Sequence, residues 1–190
     1  MKNELKNLTQ HLKQQTGKPP LDLWHPELSG DIDIVIKANG DWFHDGSQIK
    51  RQSLIKLFST ILRREDDGDY YLLTPVEKWR IQVEQTALII VDMDVVNVGQ
   101  SDQKIIFTTN VDDQYTLSKK YPLTVLSFEN SQQPVPIVSL EQKLTAKLTR
   151  SVFYRLADLT VEKKGRFFVV SEGLEFTLGG GQGVDFQGMP

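Results

Sequence analysis

Ile32, Ile34 and Ile36 alternate with Asp31, Asp33 and Lys37, a period of two that puts the isoleucines on one face of a strand and the charges on the other. Asn39-Gly40 follows and Trp42-Phe43 comes next, so the spacing predicts a hairpin whose tight turn takes positive φ at both central positions. Asp45-Gly46-Ser47 ends that hairpin. The period then changes. Leu54, Leu57, Phe58, Ile61 and Leu62 fall at i, i+3, i+4, i+7 and i+8 and predict one core-facing helical stripe, broken by Asp66-Asp-Gly-Asp69. Tyr70 to Leu73 and Trp79 to Glu84 read as strands joined around Thr74-Pro75.

The second half is richer in strands. Ala87 to Val96 and Lys104 to Thr109 read as strands separated by the turn-rich Gly99-Gln-Ser-Asp102, and another pair straddles Asn110-Val-Asp-Asp113 and Tyr121-Pro122. Asn130-Ser-Gln-Gln-Pro134 reads as a loop, and Val135 to Leu140 as an edge strand interrupted by Pro136. A helix near 149–158 carries Val152, Phe153 and Leu156. A last hairpin runs through Phe167 to Val170 and Leu174 to Leu178. At the start of the chain, Leu5, Leu8 and Leu12 recur at helical spacing before Gly17 and Pro19-Pro20, which predicts a short amphipathic helix with an apolar stripe too narrow for strong membrane binding.

These segments repeat. An offset of 97 places Gly68-Asp-Tyr-Tyr-Leu-Leu-Thr74 on Gly165-Arg-Phe-Phe-Val-Val-Ser171, Trp79 on Phe176 and Ile81 on Leu178, while the preceding helices match at 98 to 99. The prediction is an α+β protein of two duplicated lobes, each a helix with antiparallel sheet: a helix over 1–18, an N-terminal lobe over 19–86, a β-rich C-terminal lobe over 87–179 and a glycine-rich tail over 180–190. Two related lobes make a cleft, a usual place for a ligand.

Composition narrows the chemistry. With 190 residues, 39% hydrophobic and 25% charged, the chain can bury a sizeable core. It has no cysteine, which excludes disulfides, thiolate nucleophiles and cysteine-ligated metal centres. No apolar run is long enough to span a bilayer and Met1-Lys-Asn-Glu4 does not resemble a signal peptide, so the expected location is cytoplasmic. A net charge of −3 provides no field to gather nucleic acid or an anionic membrane. The pairs Arg63-Arg64, Lys119-Lys120 and Lys163-Lys164 read as solvated charges at element ends.

No string carries a catalytic set. His44-Asp45-Gly-Ser47 is too local for a triad and reads as a hairpin end. Asp92-Met-Asp94 with Asn97 and Gly99 lacks the register and the twelfth-position glutamate of a calcium loop and reads as strand alternation. Gly179-Gly-Gly-Gln-Gly183 lacks the Lys-Ser/Thr and the following helix of a phosphate loop. His11, His25 and His44 are scattered, so neither a metal nor another cofactor is expected.

Two polar strings on expected loops stand out: Thr74-Pro-Val-Glu77-Lys78 and Thr109-Asn110-Val-Asp112-Asp113. Asn110 can read a polar edge, Thr74 can donate, Glu77, Asp112 or Asp113 can accept, and Arg51, Arg63 and Lys78 can hold an anionic group. The structural alternative is that the acids cap turns and pair with these cations to dock the lobes.

Several strings resemble a bacterial domain-of-unknown-function family, number 1285. They include Trp24-His-Pro-Glu27, Gly30-Asp-Ile-Asp33, Gly40-Asp-Trp-Phe43, Gly46-Ser-Gln-Ile-Lys-Arg51, Leu57-Phe-Ser-Thr-Ile-Leu-Arg-Arg64, Leu73-Thr-Pro-Val-Glu-Lys78, Phe107-Thr-Thr-Asn-Val-Asp-Asp113 and Arg150-Ser-Val-Phe-Tyr154. The resemblance covers residues 19 to 179. It implies a duplicated core, a second lobe similar to a pleckstrin-homology barrel, a ligand site between lobes, and a nucleotide-like ligand with a part in signalling. Thr108 stands where the family pattern has arginine, and Pro136 to Leu144 lacks the pattern's arginine and glycine.

The expected function is therefore a non-enzymatic small-molecule sensor or adaptor with no nucleic-acid or membrane partner. The alternative is a protein-interaction module in which the C-terminal lobe binds a peptide. A hydrolase acting through Glu77, Asp112 or Asp113 is a third reading.

Overall fold

The structure, a computed structural model, describes residues 19–126 and 135–179. The expected N-terminal helix, the loop at Asn130 to Pro134 and the tail over 180–190 lie outside the described residues.

The isoleucine alternation forms β1 (Leu28–Ile36), with Ile32, Ile34 and Ile36 buried and Asp31 and Asp33 exposed. Antiparallel to it lies β2 (Trp42–His44), Ile36 facing Trp42. The turn between them differs from the expected tight one. Lys37 to Asp41 form a longer loop, in which Lys37 N–H donates to Asp41 O (2.9 Å) and Gly40 N–H to Lys37 O (2.8 Å). Only Gly40 (φ +87°) is left-handed, because Asn39 uses its side chain on Asp41, donating from Nδ2 to Oδ2 (2.8 Å) and accepting from the backbone N–H (3.1 Å). The turn with two positive φ values comes one connection later, at Asp45 (47°) and Gly46 (71°), between β2 and β3 (Ser47–Gln48).

Helix α1 (Gln52–Ser59) buries Ile55 and Phe58 and stops earlier than its stripe predicts. Thr60 N–H and Ile61 N–H close on carbonyls three residues back, and Leu62 then opens β4 (Leu62–Arg64) opposite Leu72. Positions i+7 and i+8 are equally apolar in a buried strand, and the helix ends in a turn at Thr60-Ile61, where the Thr60 hydroxyl donates to Leu57 O (2.7 Å). β5 (Tyr70–Leu73) and β6 (Lys78–Val83) complete a six-stranded sheet in the order β3-β2-β1-β6-β5-β4. β1 and β6 run parallel and the other pairs antiparallel, so the sheet is mixed. Trp42 and Phe58, both fully buried, stack at 6.2 Å between ring centroids.

β7 (Leu88–Val96), β8 (Lys104–Thr109), β9 (Gln114–Thr116), β10 (Leu123–Leu126), β11 (Val135–Ser139) and β12 (Thr145–Leu148) form a second six-stranded sheet in the order β10-β11-β12-β7-β8-β9. Contrary to expectation β11 is internal: β10 covers one side, with Val125 opposite Pro136, and β12 the other. Helix α2 (Arg150–Ala157) starts at Thr149, whose Oγ1 accepts from Val152 N–H (3.4 Å), and buries Val152 and Leu156. A three-stranded sheet follows in the order β13 (Val161–Lys163), β14 (Arg166–Ser171) and β15 (Leu174–Gly179). No sheet closes on itself, so the described strands form no closed barrel of the kind the resemblance implies.

The two halves follow one plan: a helix, then a three-stranded antiparallel meander. Leu73 faces Lys78 as Val170 faces Glu175, Leu72 faces Trp79 as Val169 faces Phe176, and Tyr71 faces Arg80 as Phe168 faces Thr177, each pair displaced by 97. The plan departs at one connection. Between β13 and β14 lies the two-residue turn Lys164-Gly165, both with positive φ, whereas between β4 and β5 lie five residues, Glu65 to Asp69.

By compactness the chain divides into two units. The first comprises residues up to Ile89 with Thr109–Asp113 and Leu140–Ala146; the second comprises Ile90–Thr108, Gln114–Ser139 and the chain from Lys147. Among the described residues no helix is long and apolar enough to cross a membrane.

Candidate functional site

The five-residue connection between β4 and β5 folds on itself. Glu65 N–H donates to Asp69 O (3.0 Å) and Gly68 N–H to Glu65 O (3.1 Å). Asp67 Oδ1 accepts from Asp69 N–H (2.9 Å), and Arg64 Nε donates to Gly68 O (3.2 Å). Four carboxylates thus project from a fixed loop. Beside it, Arg63 grips the segment that precedes β1, its Nη1 donating to Leu21 O (3.1 Å) and Trp24 O (3.3 Å) and its Nη2 to Glu65. The third wall is the turn Glu141–Lys143, where Gln142 (φ 57°) and Lys143 (φ 56°) are both left-handed, an unfavourable state for two successive side-chain-bearing residues. Gln142 Nε2 donates to Asp22 Oδ1 (3.1 Å), and Lys143 pairs with Asp66. Together these segments of the first unit line an open cavity of about 510 Å³, formed by Asp22, His25, Arg63, Arg64, Glu65, Asp66, Asp67, Gln142 and Lys143.

Its charges are unequally committed. Burial alone would raise the Glu65 carboxyl, but hydrogen bonds from Arg63 and from Lys78 Nζ (3.1 Å) outweigh it and hold the group below the usual carboxylate range. Asp67 is likewise lowered, first by the Tyr71 hydroxyl, which donates to its Oδ2 (2.7 Å), and then by Asp69 N–H. The same bond pushes the Tyr71 phenol up to about 12. The signs follow from linkage. The lowered carboxyls favour the fold above their unfolded values and lose that contribution as pH falls through their folded values; Tyr71 favours it below about 10 and loses this as pH rises toward 12. Asp67→Asn is expected to bring the Tyr71 titration, followed by phenolate absorbance, back toward 10; an unchanged titration would show that the bond does not set it.

On the same unit Arg80 bridges Asp31 (2.7 and 3.1 Å) and Asp69 (3.2 Å), in a second recess of about 460 Å³. Asp31 holds a lowered pKa through its hydrogen bond from Arg80. That fork is filled.

All eight residues singled out in the sequence lie in the first unit, but in separate places. Arg63 and Lys78 meet on Glu65; Lys78 also lies 4.8 Å from the Tyr71 ring centroid. Arg63, with 15% side-chain exposure, is no solvated charge. Thr74 is fully buried, and its Oγ1 accepts from Val76 N–H (3.4 Å) and Glu77 N–H (3.0 Å), while Glu77 Oε2 is buried without a hydrogen-bond partner among the described residues. Asn110 is a structural staple: its Oδ1 accepts from Ile89 N–H (3.0 Å), its Nδ2 donates to Gly40 O (3.5 Å), and its carbonyl accepts from Gln52 Nε2 (2.6 Å). Asp112, left-handed (φ 62°) and exposed, lies 4.0 Å from Lys56, and Asp113 closes the same turn through its backbone to Thr109. Arg51 is exposed at the start of α1.

Elsewhere, Asp92 and Asp94 are exposed on either side of buried Met93, as strand alternation requires, and Asp92 pairs with Arg155. His44 Nδ1 stands 3.6 Å from Asp45 Oδ2, beyond a good hydrogen bond. Among the described residues no group of three or more histidines and acids is placed to hold a metal ion.

Of the lining residues sequence reasoning singled out Arg63 and missed Asp22, His25, Arg64, Glu65, Asp66, Asp67, Gln142 and Lys143. A signal was available: the offset is 97 from Gly68 on Gly165 onward but 98 to 99 at the preceding helices, so the first copy carries one or two extra residues just before Gly68, in the acidic stretch Glu65 to Asp67.

Residues 19–86 match the family model described as domain of unknown function DUF1285, N-terminal domain, and residues 87–178 match that of the DUF1285 C-terminal domain. Among solved structures the chain is similar to a DUF1285 family protein from Silicibacter pomeroyi DSS-3, at 35% identity over 91% of this chain and 94% of that one, with a TM-score of 0.83. It is also similar to a DUF1285 family protein from Shewanella baltica OS155, at 30% identity over 66% of this chain and 90% of that one, with a TM-score of 0.52. No curated protein matches.

Proposed function

The chain belongs to the DUF1285 family, whose function is unknown, and on that premise we propose that it is a non-enzymatic binding protein for a small polar molecule, acting as a sensor or adaptor. One observation carries the reading: the cavity is walled by the connection in which the first copy of the repeat departs from the second. A scaffold element that both copies need would be present in both. The volume of about 510 Å³ suits a small ligand. Its polar lining favours a charged or hydroxylated molecule over an apolar one. A nucleotide-like ligand and a part in signal transduction are the specific forms that the resemblance implies, and the cysteine-free composition accords with work in the cytoplasm.

A thermal-shift screen tests this. A ligand at about a hundred times its dissociation constant adds roughly 2.7 kcal/mol, about 5–10 °C for a chain of this size. Nucleotides, cyclic dinucleotides, sugars and amino acids form the panel. A saturable shift lost on Arg64→Ala supports the reading, and no shift from any class sinks it.

The second reading is a protein-interaction module. β13 is a sheet edge with all three residues exposed, and Val161 and Phe167 are large exposed apolar side chains, as is Tyr154 on α2. On this reading the second unit is a pleckstrin-homology-like scaffold that accepts a peptide strand at that edge.

A further inference from the structure

Resting on the binding-protein reading, we propose that the cavity beside the β4–β5 loop takes a small zwitterion, a free amino acid or short peptide bearing one carboxylate and one ammonium. The argument is an account of which polar atoms still have capacity. Arg63 has given Nη1 to two carbonyls and Nη2 to Glu65. Glu65 has both oxygens filled, by Arg63 and by Lys78, and Asp67 has both filled, by Tyr71 and by Asp69 N–H. These groups shape the cavity and offer a ligand little.

Arg64 differs. Its Nε is tied to Gly68 O at 3.2 Å and its guanidinium lies 5.6 Å from the Tyr70 ring centroid, so the plane is held from two directions. Its two terminal nitrogens have no hydrogen-bond partner among the described residues. A planar fork fixed in place with its outer donors unused matches a carboxylate bidentately, and prior fixing lowers the ordering penalty of binding.

The opposite charge is available as well. Among the described residues Asp22 meets only Gln142, through one oxygen, and Asp66 meets only Lys143. The Asp66 side chain is 95% exposed and that of Lys143 58%, so their pair is weak and readily exchanged for a ligand's ammonium. Once the committed groups are set aside, the remaining formal charges are Arg64 and Lys143 against Asp22 and Asp66, which balance. A phosphate dianion would meet Asp66 and Asp22 with repulsion, and an amine alone would meet Arg64 and Lys143 in the same way. A molecule carrying both signs leaves the balance intact.

The left-handed Gln142-Lys143 step supplies a clean variant. Glycine suits φ 56°, so Lys143→Gly removes the ammonium without burdening the turn.

The experiment is calorimetric titration of the full chain with each of the common amino acids and with trialanine at millimolar concentration. The best binder is then compared with its N-acetyl and carboxamide derivatives. AMP and inorganic phosphate serve as the anionic probes. Each capped derivative is expected to bind at least about tenfold more weakly, and Arg64→Ala to bind the free acid and the carboxamide alike. Asp66→Asn is expected to weaken the free ammonium form alone, with Lys119→Ala, which is not among the cavity-lining residues, as a control. AMP or phosphate binding more tightly than any amino acid, through the same Arg64, would overturn the zwitterion while leaving a small-molecule site in place. Binding by none of the probes overturns the zwitterion too, and if the wider panel of nucleotides and sugars is also silent the binding-protein reading fails with it. Should Arg64→Ala not fold, the capped derivatives on the unaltered protein and the Lys143→Gly variant decide the same question.

Discussion

Replacing Gly40 by alanine is expected to destabilise the protein by about 3 kcal/mol, from a left-handed backbone penalty of about 1–2 kcal/mol and overpacking of about 1–3 kcal/mol. Gly40 sits at φ +87°, and a methyl group there would stand 2.5 Å from Ile89 Cγ1 and 3.1 Å from Asn110 Nδ2. Neither neighbour can yield cheaply. Ile89 is buried, and Asn110 is bonded to Ile89 N–H, to Gly40 O and, through its own carbonyl, to Gln52. The urea midpoint should fall accordingly, by an amount greater than for Gly46→Ala, where positive φ is shared but nothing lies within 4 Å. Equal losses at the two glycines would mean that backbone conformation, and not the close approach to Ile89, governs Gly40.

Trp42→Ala is expected to cost about 3–5 kcal/mol, the range for emptying a large aromatic site that cannot collapse. Trp42 is fully buried in β2 and stacks on Phe58 of α1, so its loss removes a contact that joins the helix to the sheet. Trp42→Phe should cost far less than the change in size implies. The indole N–H is buried without a hydrogen-bond partner among the described residues, so deleting it removes an unmet desolvation penalty along with the lost packing. Chemical denaturation of both variants separates the contributions; a phenylalanine variant as unstable as the alanine one would show that volume alone matters at this position.

The strand pattern of the first sheet was legible because its period is unambiguous: the isoleucines of β1 point inward and the acids outward. The repeat was legible for a related reason, since the same apolar positions serve the same hairpin register in both copies. Less of α1 could be read. Ile61 and Leu62 satisfy the helical stripe and a buried strand equally, and only the tertiary pairing of Leu62 with Leu72 decides between them. The turn at Asn39-Gly40 misled because Asn39 had a competing use for its side chain, whereas the Asp45 side chain makes no hydrogen bond among the described residues.

The candidate site was mostly illegible. Asn110 carries the donor and acceptor groups expected of a ligand-reading residue, and the fold uses all of them internally. Arg64 looked like half of a solvated pair, yet it differs from Arg63 by which face of β4 it occupies. Asp22 and Lys143, far apart in sequence, join the same cavity through loops that no periodicity marks.

The unequal connection in the two copies also makes the protein its own control for loop grafting. One frame, helix plus meander, holds together around a two-residue turn at Lys164-Gly165 and around a five-residue loop at Glu65 to Asp69. Closing the longer loop costs only about 0.8 kcal/mol more in chain entropy. The second copy is therefore a spare socket: Lys164-Gly165 marks where a foreign recognition loop can be installed with every residue of the first copy's loop left unchanged.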